Sequence, residues 1–95
     1  MGRDPKSLGE AIESLFRELG FEKKVDQMRV LEIWPQIVGP TLTRIAQADR
    51  VDNGILYVKV AGMTWRTELL FQKALILQKI AEKLGEGVIK DIRFF

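Results

Sequence analysis

The dipeptide Asn53-Gly54 constrains the fold of this chain more than any other feature. A two-residue type I′ turn needs positive φ at both central positions, and Asn followed by Gly adopts that conformation at low cost. After the turn, apolar residues recur at every second position, at Leu56, Val58 and Val60. This period is typical of a strand with one buried face. We therefore predict a β-hairpin with strands 47–52 and 55–60.

The simplest register of this hairpin pairs residues at equal distances from the turn, for example Asp49 with Val58. Asp49 and Gln47 then fall on the buried side of the sheet. Inward-facing charged residues are a device of edge strands. We therefore expect 47–52 to pair on one side only, with 55–60 as the central strand.

Two helices are predicted before the hairpin. Ser7 and Glu10 have the spacing of a capping box, and the first amphipathic helix is expected to end at Gly20. Its apolar stripe comprises Leu8, Ala11, Ile12, Leu15, Phe16 and Leu19. The second helix is expected to begin at an N-cap, Asp26, and to end at Gly39. Its buried stripe comprises Val30, Ile33, Trp34 and Ile37.

The second helix contains a proline that should disturb it. Pro35 has no N–H to donate to the carbonyl of Leu31, and its ring crowds that turn. We expect a kink near Trp34, or a fresh helical turn that starts at Pro35. Pro40 is well placed to begin another short helix, 40–46.

After the hairpin, the spacing of the apolar residues predicts one long helix, 63–84, and a third strand, 88–94. Trp65 lies in the apolar face of this helix, so it is assigned to the core together with Trp34. Phe71 and Leu75 lie on the opposite side. A helix with apolar residues on both sides is usually sandwiched, so its second side is expected to meet the N-terminal helices or a partner.

These elements predict the fold class. A strand–helix–strand connection places the third strand parallel to the second. Residues 1–95 should therefore form a single two-layer α+β domain, in which N-terminal helices precede a β-β-α-β unit with a three-stranded mixed sheet.

Composition argues against several classes of function. The chain has no Cys and no His, which removes thiolate chemistry, imidazole catalysis and the usual zinc ligands. It has no phosphate-binding loop. We expect no catalytic residues, no metal, no cofactor and no enzymatic activity. No signal peptide or membrane span is recognisable, so a cytoplasmic protein is expected.

The predicted exposed face of the hairpin carries Arg50, Tyr57 and Lys59. An aromatic ring beside cations is the combination that binds single-stranded nucleic acid. A cross-strand pair that merely covers the sheet is equally consistent with it. Arg66 and Arg93 add positive charge and complete the candidate nucleic-acid-binding set. The net charge of only +2 favours weak phosphate affinity.

Phe71 and Leu75 form a candidate partner-binding patch. Intramolecular packing against the first helix would explain them equally well.

The order of these motifs resembles the DciA family of bacterial proteins over nearly the whole chain. The motifs are Trp34-Pro35-Gln36-Ile37-Val38-Gly39, then Asn53-Gly54 with Leu56 and Val58, then Trp65 with Glu68-Leu69, and finally Ile92-Arg93-Phe94. The resemblance implies a fold similar to a K-homology domain. The chain departs from true K-homology domains because it lacks the GxxG loop that clamps a nucleic-acid backbone.

The resemblance also implies a function. Members of the family bind the DnaB-type replicative helicase and help to load it onto single-stranded DNA, without nucleotide hydrolysis. The alternatives are a K-homology-like RNA-binding module and an adaptor that binds only protein.

Overall fold

The computed structural model describes the backbone of residues 5–95, and the side chains of residues 7–95 apart from Phe16 and residues 21–23. Within this range the elements are α1 (Pro5–Glu18), α2 (Phe21–Thr43), β1 (Ala46–Asp52), β2 (Ile55–Val60), α3 (Met63–Phe71), α4 (Lys73–Leu84) and β3 (Asp91–Phe94). The sheet order is β1-β2-β3, with β1 antiparallel and β3 parallel to β2. The predicted α+β class and mixed sheet are confirmed. None of these helices is long and apolar enough to cross a membrane.

One face of the sheet packs against α2, α3 and α4, and the core lies between these two layers. The buried apolar residues of this core are Val30, Trp34, Ile37, Ala46, Leu56, Val58, Val60, Leu69, Ile76, Ile80, Ile89 and Ile92. The indole N–H of Trp34 donates a hydrogen bond to the carbonyl of Ala46 at 2.9 Å. This bond joins α2 to the first residue of β1, and the core position predicted for Trp34 is confirmed.

The hairpin turn has the predicted conformation. Asn53 and Gly54 have φ values of 51° and 79°, as a type I′ turn requires. Gly54 also lies against the aliphatic part of Lys90, and a Cβ there would come within 3.2 Å of the Lys90 Cγ. The turn therefore favours glycine for its backbone conformation, and a larger residue would also have to displace the Lys90 side chain.

The predicted register of β1 is wrong beyond Arg50, because a β-bulge lies between Ala48 and Arg50. Asp49 is the extra residue of the bulge, so Ala48 pairs with Val58 in its place. Asp49 and Gln47, which the simple register placed on the buried side, are both exposed. The bulge thus avoids the cost of burying an unpaired carboxylate.

Helix α1 begins at Pro5, so Ser7 lies inside the first turn and is not the N-cap. Helix α1 ends at Glu18. Gly20 follows with a φ of 77°, the left-handed conformation expected of a glycine that terminates a helix, so the predicted end is confirmed. Among the described elements α1 contacts only α2, and the molecule extends 64 Å along its long axis. The described large apolar residues of the α1 stripe are consequently about half exposed, namely Leu8, Ile12, Leu15 and Leu19.

Helix α2 differs from the prediction at its start and at Pro35. It begins at Phe21, so Asp26 lies inside the helix and is not its N-cap. The helix continues through Pro35, which is exposed and can place its ring on the solvent side. The predicted end at Gly39 is confirmed, because the helical conformation breaks there, with φ 86° and ψ 165°. Pro40 starts the last helical turn, which ends at Thr43 and not at residue 46.

The predicted long helix, 63–84, is interrupted at Gln72, which has φ −93° and ψ 0° and separates α3 from α4. The apolar face expected for a continuous helix is therefore not maintained across the break. Leu69 is buried, but Trp65 is 40% exposed and its predicted core position is wrong. The third strand is also shorter than predicted and starts at Asp91.

Candidate nucleic-acid interface

The face of the sheet opposite the helices carries a row of three side chains. Tyr57 on the central strand β2 pairs with Arg50 on β1 and with Arg93 on β3. Tyr57 therefore lies between two arginines, whose side chains are both largely exposed. Lys59 is exposed two residues further along β2, on the same face because side chains alternate along a strand. Four of the five predicted nucleic-acid-binding residues thus share one surface.

Arg50 is held against Tyr57 in the unbound protein. Its Cζ lies 4.2 Å from the centroid of the Tyr57 ring, a cation–π contact. Its Nη1 also donates a hydrogen bond to Oδ2 of Asp49 at 2.9 Å. The bulge makes this second contact available, because it leaves the Asp49 carboxylate on the exposed side. The guanidinium is thus positioned by both contacts.

Phe95 belongs to the same surface and was missed by sequence reasoning. The Phe95 N–H donates to the carbonyl of Val58 at 2.9 Å, and the Val60 N–H donates to the carbonyl of Phe95 at 2.7 Å. These bonds continue the β2–β3 ladder and place Phe95 beside Lys59. The side chain is 45% exposed. The alternation of β3, with Ile92 buried and Arg93 exposed, was the available signal, since Phe95 follows Arg93 by two residues.

Asp91 lies at the start of β3 on this face and is surrounded by hydrogen-bond donors and cations. Its Oδ1 is 3.0 Å from Nζ of Lys73 and accepts the N–H of Ile92 at 2.8 Å. Its Oδ2 lies 4.0 Å from Nε of Arg93. The Lys73 contact, and then the Ile92 amide, hold the pKa of Asp91 below its ordinary value, although partial burial opposes the shift.

We expect Asp91→Asn to destabilise the domain at neutral pH but not in strong acid. The folded-state pKa of Asp91 is depressed, so its contribution is fully present above the unfolded value, near 3.8, and is lost as the pH falls through the folded pKa. Urea unfolding of both proteins from neutral to acidic pH measures the difference. Asp52→Asn controls for the loss of one exposed carboxylate. If the difference in unfolding free energy between the wild type and Asp91→Asn increased below pH 3.8, the depressed pKa of Asp91 would be contradicted.

Arg66, the fifth predicted nucleic-acid-binding residue, does not join the row. It lies on α3, in the helical layer, and is only partly exposed. Its Nε is buried without a hydrogen-bond partner in the described part of the chain.

The predicted partner-binding residues lie on either side of the break at Gln72. Phe71 is 83% exposed and Leu75 is 51% exposed. Helix α1 does not cover them, since its contacts with the described elements are confined to α2. The alternative of intramolecular packing against the first helix is therefore not what the structure shows.

Two further features bear on the chemistry of the molecule. A cleft of about 640 Å³ separates the hairpin turn from the start of α2, and its lining includes Lys24 and Lys90 but none of the row residues. In the described part of the chain, no group of three or more acidic side chains is placed to hold a metal ion. The exposed sheet face, and not this cleft, carries four of the five candidate nucleic-acid-binding residues.

Comparison with known proteins identifies the family. The sequence model described as "Dna[CI] antecedent, DciA" matches residues 7–94. The chain is 34% identical to a UPF0232 protein of Rhodococcus jostii over 91 residues, which is 96% of this chain and 48% of that protein. UPF0232 proteins of Mycobacterium tuberculosis and Mycobacterium leprae are 31% and 32% identical over 96% of this chain. The chain spans about half the length of the curated relatives it matches, 49% and 48% for these two. The family model covers almost the whole chain, and the chain therefore belongs to the DciA family.

Proposed function

We propose that this domain is a non-enzymatic bacterial DNA-replication factor. It binds single-stranded DNA weakly through the exposed sheet face, and it docks on a DnaB-type replicative helicase and assists its loading. The DNA-binding part of this proposal rests on the row of Arg50, Tyr57 and Arg93. This row lies on the face of the sheet opposite the helices. The family description, "Dna[CI] antecedent", supports the replication context.

The row offers both kinds of contact that single strands use. Arginine and lysine side chains can bind phosphates, and an aromatic ring offers a surface for an unpaired base. The affinity should be modest, because Asp49 and Asp91 already balance part of the charge of Arg50 and Arg93. A net charge of +2 agrees with weak, salt-sensitive binding.

The helicase part of the proposal concerns binding alone. The sequence has no phosphate-binding loop that would make the domain an ATPase. A factor of this kind can only shift the helicase toward a conformation that it binds more tightly. The exposed pair Phe71 and Leu75 is the proposed contact, and the sheet face would keep the single strand close to the ring.

The DNA-binding surface is tested by charge reversal. We expect Arg50→Glu with Lys59→Glu to weaken binding of a labelled oligothymidylate by at least about tenfold at low salt. The slope of log affinity against log salt should flatten by roughly 0.7 for each phosphate that the variant no longer neutralises. Fluorescence anisotropy at low and high salt measures both quantities. The matched control is Lys79→Glu with Lys83→Glu, which makes the same change of charge at exposed positions of α4. If the two double variants bound the oligothymidylate with equal affinity, Arg50 and Lys59 would be excluded as part of the DNA-binding surface.

The partner is tested by capture of a purified DnaB-type helicase on the immobilised domain, with and without single-stranded DNA. Recovery of the hexameric helicase supports the proposal. Tighter binding to RNA than to DNA, without recovery of the helicase, would favour the RNA-binding alternative. Recovery of the helicase with no nucleic-acid affinity would favour the adaptor that binds only protein.

A further inference from the structure

We propose that the exposed sheet face has two separate stacking positions for the unpaired bases of single-stranded DNA. One base stacks on the Arg50–Tyr57 pair, and a second base of the same strand stacks on Phe95. This inference rests on the proposed function and deepens it, since it names the part of the ligand that the surface recognises.

The first stacking position is built in layers. The Arg50 guanidinium lies over the Tyr57 ring, with Cζ 4.2 Å from the ring centroid. It therefore covers one face of that ring, and a base on that side meets the outer face of the guanidinium. A guanidinium is planar and delocalised, so it stacks on aromatic rings. The base, the Arg50 guanidinium and the Tyr57 ring thus form three successive layers.

Asp49 keeps this first position in place without blocking it. Its carboxylate accepts the Nη1 hydrogen bond of Arg50 at 2.9 Å. The N–H bonds of a guanidinium lie in its plane, so a partner that accepts one of them leaves the outer planar face open. The Arg50 side chain is accordingly 59% exposed even with both contacts made. The bulge at Asp49 therefore prepares the stacking surface before DNA arrives.

The second stacking position is the ring of Phe95. The backbone ladder places Phe95 beside Lys59, which is one strand across and two residues along from Tyr57. A strand spacing of about 4.8 Å and a rise of about 3.3 Å per residue put Phe95 about 8 Å from Tyr57 and about 12 Å from Arg50, which lies one strand further away. Lys59 lies on the same face, beside Phe95 and two residues from Tyr57, and can contact a phosphate of the strand that joins the two bases.

The charges on this face fit a polyanion. The acidic groups beside the arginines are already paired, Asp49 with Arg50 and Asp91 with Lys73 at 3.0 Å. Arg93 lies 4.0 Å from Asp91, and 65% of its side chain is exposed, so it can turn toward a phosphate. Cations beside two aromatic surfaces favour a single strand, because its bases are free to stack.

The test compares two ligands of equal length and charge, an oligothymidylate and an abasic oligonucleotide that keeps only sugar and phosphate. Alanine substitution at a stacking aromatic typically costs between about 5-fold and 100-fold in affinity. We expect the wild-type protein to bind the oligothymidylate about tenfold more tightly than the abasic strand. Phe95→Ala should lose the share of that preference that its ring supplies, about fivefold, keep the share supplied by Arg50 and Tyr57, and bind the abasic strand within about twofold of wild type.

Two further Phe95 variants separate stacking from packing. Phe95→Leu keeps the apolar bulk but has no aromatic face, so it should behave like Phe95→Ala. Phe95→Trp should retain the preference for bases. Met63→Ala is the control, because Met63 is an exposed apolar residue outside the sheet face, and it should change neither affinity. A 2-aminopurine in the strand reports stacking on the wild-type protein by its loss of fluorescence.

The outcomes distinguish this inference from the proposed function. Equal affinities of the wild type for the two strands would overturn base stacking, while a weakening caused by Arg50→Glu with Lys59→Glu would leave the DNA-binding function standing. A Phe95→Leu variant whose affinity falls equally for both strands would show that Phe95 acts only through the fold. No measurable affinity for either strand would remove both proposals.

Discussion

Trp34→Ala is expected to lower the free energy of unfolding by about 4 kcal/mol, which is close to the whole stability of many small domains. The side chain is 1% exposed and lies in the core, so its removal leaves a cavity that α2 and the sheet cannot easily close. The Ala46 carbonyl also loses its indole donor. The midpoint of thermal unfolding should fall by roughly 20 °C for a domain of this size.

The matched control is the other tryptophan. Trp65→Ala should cost less than half as much, because Trp65 is 40% exposed. Trp34→Phe isolates the hydrogen bond from much of the packing, and it should cost about 1–3 kcal/mol. Chemical denaturation followed by far-ultraviolet circular dichroism measures all three variants. Equal losses of stability at Trp34 and Trp65 would show that the core is not centred where α2 meets β1.

Under the proposed function, Phe71→Ala with Leu75→Ala is expected to weaken binding of a DnaB-type helicase by about 30-fold or more. Exposed aromatic and apolar side chains that become fully buried in an interface are its main sources of affinity, and the largest contributions reach about 2 kcal/mol or more each. Both residues are exposed in the free domain. Their removal should therefore leave the stability of the domain, and its affinity for single-stranded DNA, close to wild type.

Surface-immobilised helicase and a dilution series of the domain measure this change in affinity. Met63→Ala is the matched control, because Met63 is 74% exposed and lies at the start of α3, away from the break at Gln72. Unchanged helicase affinity in the double variant would exclude Phe71 and Leu75 as the contact. An equal weakening in Met63→Ala would indicate a broader surface of α3.

Only part of the candidate DNA-binding face could be predicted from the sequence. The pairing of Arg50 with Tyr57 follows from the turn, because a two-residue loop determines the register of the residues closest to it. The row is completed by Arg93, whose position depends on how β3 pairs with β2 across the intervening helices. Arg93 was already in the candidate set, but no local pattern specifies that register, so its alignment with Tyr57 and the position of Phe95 emerged only from the fold.

Two of the incorrect predictions have a common cause. The register failed at Asp49 and the long helix failed at Gln72, and both failures follow from assuming that a local period continues unbroken. Two polar residues at core-facing positions of β1 were the available sign of a bulge. The exposure of Trp65 had no such sign, because a side chain in an apolar stripe is buried only if another element covers it.

Local sequence was enough to specify the turn at Asn53-Gly54, the alternation of β2 and the place of Trp34 in the core. Each of these depends on backbone preferences or on the spacing of apolar residues within one element. Packing between distant parts of the chain sets which surfaces stay uncovered and where Arg93 and Phe95 lie. It also leaves Asp49 exposed to solvent beside Arg50. These depend on contacts between residues distant in the chain, whose free energies are set by packing and burial and not by local periodicity.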